Sequence, residues 1–192
     1  MDKTMSWKHL SIFAALVCMP ISWTSAASDQ RYNFLELIER IKADVIFLRH
    51  ASAPGFGDPE DFNLADCSTQ RNLDDLGRVQ AVNIGIELKS FGVEFDEILS
   101  SQWCRCKETA GLLDLGDWVE FVGLNSFFQN FSNKEETLAL LNKKLLSKKT
   151  GVSLMVTHQV VIRAITGMVV SSGGVVVHNS KTGQSEIYRL DN

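Results

Sequence analysis

The sequence predicts an α/β three-layer sandwich with a mainly parallel central sheet, and three observations lead there. Two short runs, Val45-Ile46-Phe47-Leu48 and Val152-Ser153-Leu154-Met155-Val156, have the length and near-continuous apolarity of strands buried on both faces. Each run is closely followed by a histidine, His50 and His158, and Arg105 lies between them in sequence. Helical patterns alternate with short strands along most of the chain, the order that builds a sheet flanked by crossover helices. Open sheets of this kind place their chemistry beyond the carboxyl ends of the strands. Two imidazoles and two guanidiniums, from Arg49 and Arg105, delivered to one sheet edge would make a cationic, nucleophile-bearing pocket suited to phosphate.

The elements follow in order. Phe34, Leu35, Leu37, Ile38 and Ile41 have helical spacing and predict a helix over 32–41. The first strand is expected at 45–49. Residues 51–72 carry Pro54, Gly55, Gly57 and Pro59 with little periodicity and read as a long loop, a feature usually tied to function. Asp74 to Phe91 is the clearest helix, with Leu76, Val79, Ala81, Ile84 and Leu88 as its expected inward stripe and acidic residues at its start. Gly92 ends it. A strand is expected at 95–100, a helix at 105–115, a short strand at 118–122 and an amphipathic helix at 133–148. After the strand at 152–157 come a helix near 160–168, a Gly/Ser break at 171–174, a strand at 175–177, a turn at 179–184 and a closing strand at 187–190. No internal repeat or second domain is apparent.

The first 26 residues read separately. Lys3 and Lys8 give a basic start, Leu10 to Ile21 is mostly apolar, and Thr24-Ser25-Ala26-Ala27 offers a small-residue cleavage site. That is the three-part pattern of a secretory signal peptide, with cleavage after Ala26 or Ala27, and it predicts a periplasmic or secreted protein. The apolar stretch is short for a membrane span and is broken by Pro20, so no stable membrane insertion is expected. Val17 stands before Cys18 where a lipoprotein signal wants a small residue. Residues 27–192 suffice for one domain with a single core.

The 192-residue chain has a formal net charge of −4, and loss of Lys3, Lys8 and Asp2 with the leader makes it one unit more negative. An acidic surface argues against general nucleic-acid binding, which draws its affinity from phosphate neutralisation. Any cationic site must be local. Export leaves Cys67, Cys104 and Cys106 in an oxidising compartment. Cys104-x-Cys106 lacks the spacing of zinc knuckles, and no metal site is expected. Cys67 can bridge to either of the other two, with Cys104 preferred because Cys106 would pack inward. Three reduced thiols, one of them buried, is the standing alternative.

Four motifs occur in order along the chain. They are Leu48-Arg49-His50-Ala51; Arg71-x-Leu73 with Gly77-x-x-Gln80-Ala81; Ser100-Ser101-Gln102-Trp103-Cys104-Arg105-Cys106-Lys107-Glu108-Thr109-Ala110; and Val156-Thr157-His158-Gln159. Together they resemble the histidine phosphatase superfamily, which includes phosphoglycerate mutases and acid phosphatases, over about residue 45 to the end. Ala51 stands for the usual glycine of the Arg-His-Gly signature, and Gln159 for a glycine after the second histidine. The resemblance implies a phosphoglycerate-mutase-like sandwich and no cofactor. It implies that His50 is a nucleophile that becomes phosphohistidine, and that Arg49 and Arg105 bind the phosphoryl oxygens. It further implies that His158 donates to the phosphoryl group in the transition state. Arg71 either extends the clamp or binds another part of the substrate.

Each residue also has a plainer reading. A lone strand-end histidine is usually structural, and Arg105 could cap local carbonyls; the ordered fourfold match is what favours function. Trp103 reads as packing or pocket wall, and His178 as part of the terminal strand or turn. One departure from the family is chemical. Many relatives carry a proton-donating carboxylate after the second arginine motif, but Gly123-Leu124-Asn125-Ser126-Phe127-Phe128 has none. Asp58, Asp61 and Asp66 of the long loop, Glu135 or Glu136, or no carboxylate at all, remain open as the donor.

The leading expectation is an exported, metal-independent phosphomonoesterase acting on a small phosphorylated molecule or a phosphorylated surface glycan. The alternatives are a phosphohistidine-protein phosphatase and a catalytically weak or inert phosphate-binding module.

Overall fold

The computed structural model describes Met1 and residues 24–190. The expected leader lies outside the described residues, apart from Met1 and the start of a helix, α1 (Thr24–Ile41). That helix begins eight residues ahead of the apolar periodicity that predicts it.

Six strands form one sheet: β1 (Val45–Arg49), β2 (Phe95–Ser100), β3 (Trp118–Glu120), β4 (Val152–Thr157), β5 (Val175–His178) and β6 (Ser185–Tyr188). Their order is β3-β2-β4-β1-β5-β6, with β1 to β4 mutually parallel and β5 and β6 antiparallel. The expected mainly parallel sheet is therefore present, closed at one edge by a β5–β6 hairpin. The hairpin pairs His178 with Ser185, which moves the last strand two residues ahead of the expected 187–190.

Strand alternation sorts the core into two layers. Ile46, Leu48, Leu154 and Val156 face one side, against α1, α2 (Asp75–Phe91) and α3 (Cys104–Leu112). Val45, Phe47 and Met155 face the other, against α4 (Lys134–Ser147) and α5 (Gln159–Thr166). This is the three-layer sandwich.

The helix ends follow local chemistry. Asp74 caps α2 by accepting from the Gly77 amide, and Gly92 ends it at φ 69°. Asn133 caps α4 through the Glu136 amide, with Glu135 and Glu136 in the first turn. α3 stops at Leu112, short of Leu115, because the chain turns through Asp114 at φ 50° and Gly116 at φ 130°. α5 closes at Thr166 on left-handed Gly167, two residues before Met168. β3 ends at Glu120, and Val122–Leu124 forms a 3-10 turn instead of extending the strand.

The inward stripe of α2 contains Ala81, Ile84 and Leu88 as expected, but not Leu76 and Val79. Leu76 and Val79 are 76% and 57% exposed, whereas Gly77, Ala81, Ile84, Gly85, Leu88 and Phe91 are buried. Two glycines set the buried face because backbone passes directly over them. A Cβ on Gly77 would sit 2.0 Å from the Ser52 carbonyl oxygen, and one on Gly85 2.1 Å from that of Leu113. Apolar periodicity could not register a face defined by two missing side chains. Gly85→Ala is therefore expected to lower stability by about 1–3 kcal/mol, read as a shift in the denaturant midpoint.

Candidate active site

The parallel strands β1 and β4 pair with Arg49 opposite Thr157. The next residue of each chain is a histidine, and the His50 amide donates to the Thr157 carbonyl at 3.0 Å. Both rings are buried, with centroids 5.4 Å apart. β2 ends beside β4, the Ser101 amide bonds to the Val156 carbonyl, and after a short turn α3 starts at Cys104. Its second residue is Arg105, which is buried with its guanidinium between the two imidazoles. Arg105 Nε lies 3.3 Å from His50 Nε2, and Nη2 lies 3.4 Å from His158 Nδ1.

Hydrogen bonds assign the ring protons. His50 Nδ1–H donates to the Ala51 carbonyl at 2.8 Å, so Nε2 is the acceptor, facing Arg105 Nε at the edge of the cavity. His158 Nε2–H donates to Ser101 Oγ at 2.9 Å, and that hydroxyl donates to Asn125 Oδ1 at 3.2 Å. His158 Nδ1 is then the acceptor facing Arg105. Burial, reinforced by the charge of Arg105, holds both histidines well below the ordinary value of 6.5. At neutral pH they are uncharged.

The four residues line one cavity of about 410 Å³ together with Arg71 and Asp58. Arg49 Nη1 donates to the Val170 carbonyl at 2.8 Å, while its Nε is buried without a partner. Arg71 donates from Nε to the Gly57 carbonyl and from Nη1 to that of Ala53, holding the loop while remaining in the wall. Burial pulls the Arg49 and Arg71 guanidinium pKa values down, and the neighbouring charge of Arg105 adds to it.

Asp58 is the carboxylate in this cavity. It meets Arg105 through both oxygens, Nη1–Oδ1 at 2.7 Å and Nη2–Oδ2 at 3.1 Å, with side chains 3% and 5% exposed for arginine and aspartate. It also accepts from the Arg71 amide and from Trp103 Nε1, each at 3.1 Å. Burial pushes this carboxyl up, but the bonds and charge of Arg105 with the two further donors outweigh it. Asp58 is held below the usual carboxylate range and is ionised at neutral pH. The other candidate donors are elsewhere: Asp61, Glu135 and Glu136 are exposed outside the cavity, and Asp66 caps a short 3-10 turn at Cys67–Thr69.

Asn125, in the 123–128 segment that lacks a carboxylate, is structural. Its Oδ1 accepts from the Gln102 amide and its Nδ2 donates to Gln102 Oε1, fixing the turn before α3. Gln159 is structural too. It bonds to the Met168 carbonyl and the Val170 amide, and so supports the carbonyl that holds Arg49. Periodicity does not reveal three further positioning residues. Gln80 accepts from the Ser52 amide, Thr109 links Ala51 to the Arg105 carbonyl, and Gln129 Oε1 accepts from the Asp58 amide. Gln80 and Thr109 sit within the motifs already noted; Gln129 carries no sequence signal.

The loop bearing Asp58 is closed by a Cys67–Cys104 disulfide, leaving Cys106 free and buried. Burial pushes the Cys106 thiol up to about 12, so it remains an inert thiol. Phe62 stacks on Trp103 beneath the loop, and Phe56 meets Phe128 edge-to-face at 5.2 Å in the outer wall. A second cavity of about 400 Å³, by Val169–Gly174 and Ile187–Leu190, contains no histidine. Among the described residues, no group of three or more His, Cys, Asp and Glu is placed to hold a metal, and no helix is long and apolar enough to cross a membrane.

No family model and no curated protein matches the chain. Solved structures do. The protein histidine phosphatase SixA complexed with tungstate superposes with a TM-score of 0.51 at 16% identity, covering 76% of this chain and 94% of that one. An Escherichia coli (str. K-12 substr. MG1655) protein named as an alpha-ribazole-5'-P phosphatase gives 0.56 at 18%, covering 77% and 96%. Phosphoglycerate mutase from Thermus thermophilus gives 0.50 at 15%, covering 77% and 99%. The chain has the fold of the histidine phosphatase superfamily. At these identities the likeness concerns the fold, and the site stands on its own geometry.

Two outcomes follow from the buried neutral histidines and the bridged loop. Below pH 6.5 the unfolded chain protonates both rings while the folded chain does not, so stability falls as pH drops through that value. The melting temperature is expected to fall from pH 7 to pH 5, with a shallower slope in His50→Gln/His158→Gln. Opening the disulfide, which spans a sequence separation of 37, by Cys67→Ser/Cys104→Ser is expected to cost roughly 2–4 kcal/mol in denaturant unfolding.

Proposed function

We propose that the chain is an exported, metal-independent phosphomonoesterase that works through a phosphohistidine on His50. The observation that carries this reading is the His50 ring: buried, uncharged, with Nδ1–H held by the Ala51 carbonyl and Nε2 aimed into a cavity walled by three guanidiniums. A neutral imidazole so fixed is a nucleophile, and the only electrophile that such a wall favours is an anionic one. Arg49 and Arg105 bind nonbridging phosphoryl oxygens and stabilise the charge that moves onto them in the transition state. Arg71 holds the loop that forms the outer part of the clamp.

His158 acts in its observed tautomer through Arg105: Nδ1 accepts from Nη2 and so orients the guanidinium that binds the transferring group. Water then hydrolyses the phosphohistidine. The leader pattern and the Cys67–Cys104 bridge support an exported protein, and with it a phosphorylated small molecule or surface glycan as substrate. The inert-module alternative drew its force from a missing carboxylate in the 123–128 segment. Asp58 in the cavity removes that argument.

The test is turnover of p-nitrophenyl phosphate with a chelator present. His50→Ala is expected to lower kcat by roughly 10³-fold or more with the far-UV spectrum unchanged, and wild type to yield an acid-labile phosphoenzyme. Retained turnover in that variant overturns the nucleophile. Tight vanadate binding with no hydrolysis of any phosphorylated sugar, nucleotide or peptide favours the binding module.

A further inference from the structure

A guanidinium has five N–H donors, and all five of Arg105 are engaged. Nε–H points to His50 Nε2, Nη1 serves Asp58 Oδ1 and the Arg71 carbonyl, and Nη2 serves Asp58 Oδ2 and His158 Nδ1. A phosphoryl group cannot take hydrogen bonds from Arg105 unless a present partner yields. Among those partners Asp58 alone is an anion, and it takes the bidentate end of the fork, the geometry by which arginine binds phosphate. We propose that Asp58 is the resident counter-ion of the phosphate site, that substrate exchanges with it on Arg105, and that the displaced carboxyl protonates the leaving oxygen. The inference rests on the phosphatase reading above.

The loop is built for such an exchange. The backbone of Asp58 is held from both sides by Gln129, whose Oε1 accepts from the Asp58 amide at 2.7 Å and whose Nε2 donates to its carbonyl at 3.2 Å. Gln129 itself sits at φ 59°, a left-handed conformation that a non-glycine residue adopts at a cost. The carboxylate, by contrast, is held only through its own oxygens, by Arg105, the Arg71 amide and the Trp103 indole. Rotation about its side-chain bonds frees it while the loop stays in place. Two anions sharing one guanidinium cannot both remain charged at low cost, so one takes a proton.

The proton balance closes. A substrate monoanion, ROPO₃H⁻, enters, and its proton passes to the Asp58 carboxylate. The His50 Nε2 lone pair, released by Arg105 Nε–H, forms a bond to phosphorus while the P–O bond to the leaving group breaks. The departing oxygen takes its electron pair and the Asp58 proton, leaving as ROH. Water then attacks phosphorus and gives one proton to the Asp58 carboxylate, and the P–N electron pair returns to His50. Phosphate departs with the Asp58 proton as H₂PO₄⁻, and the carboxylate returns to Arg105.

Two measurements on the full chain test this, using Asp58→Asn with Asp58→Ala beside it. Tungstate binding is followed by calorimetry at mildly alkaline pH, where the ligand carries no proton, in two buffers of different ionisation enthalpy. Wild type is expected to take up about one proton per tungstate, as one of two like charges sharing a site neutralises. The variants are expected to bind tungstate more tightly and to take up none. Uptake retained in the variants would assign the proton to His50 or His158, the other titratable groups facing Arg105, and overturn the inference. So would weaker tungstate binding, which makes Asp58 a positioning residue for Arg105.

The second measurement is kcat across aryl and alkyl phosphates of graded leaving-group acidity. The variants are expected to lose about 10²-fold or more on alkyl esters and far less on p-nitrophenyl phosphate. Equal loss on every ester, with His50 still becoming phosphorylated, overturns the acid role alone. Failure of wild-type His50 to become phosphorylated overturns the reading on which it rests.

Discussion

The parallel register of β1 against β4 is the constraint on which the site depends. With Arg49 opposite Thr157, the residues that follow are His50 and His158, and the His50 amide completes the ladder on Thr157. A slip of one residue would reverse the faces of every side chain in either strand. It would also carry one histidine away from the other. The register is held by burial on both faces, because Ile46, Leu48, Leu154 and Val156 fill one layer and Val45, Phe47 and Met155 the other. The same packing that stabilises the sheet thus determines how far apart the two imidazoles lie.

Opposite charges are arranged around those two rings. Three guanidiniums and one carboxylate surround two imidazoles that stay uncharged. A protonated His50 would be repelled by its neighbours and would have no lone pair to offer phosphorus. Burial and Arg105 remove that state, so under the proposed function the cationic environment would attract a phosphoryl group and preserve the nucleophile at the same time. The cost is an anion site that must not stand empty in a buried setting, and Asp58 fills it.

The loop from Ala51 to Asn72 carries that carboxylate without forming regular structure beyond one 3-10 turn. It is held instead by discrete contacts: the Cys67–Cys104 bridge, the Arg71 bonds to Ala53 and Gly57, the Gln129 clamp and the Phe62–Trp103 stack. Cys104, Arg105 and Trp103 are adjacent in sequence, so the loop is tied down directly beside the guanidinium it serves. A long irregular segment is kept precise in this way.

Much of this was legible in the residues, because strands buried on both faces and helices with one apolar stripe leave local patterns. The bounds of β2 and β4, the α2 ends at Asp74 and Gly92 and the long loop follow from neighbours a few positions apart, while the Cys67–Cys104 pairing, preferred among open alternatives, joins residues 37 apart. The buried face of α2 was legible at Ala81, Ile84 and Leu88 but not at Gly77 and Gly85, which contribute no side chain, and Leu76 and Val79 point outward. Nor was the carboxylate legible. Asp58, Asp61 and Asp66 are chemically alike and lie on one loop, and no periodicity ranks them. The chain itself determined which chemistry was on offer: two strand-end histidines, an arginine at a helix start, and cysteines able to bridge. Only tertiary structure decided that Asp58 sits on Arg105 and that Asn125 serves a turn, because partners 47 and 23 residues apart meet through folding alone.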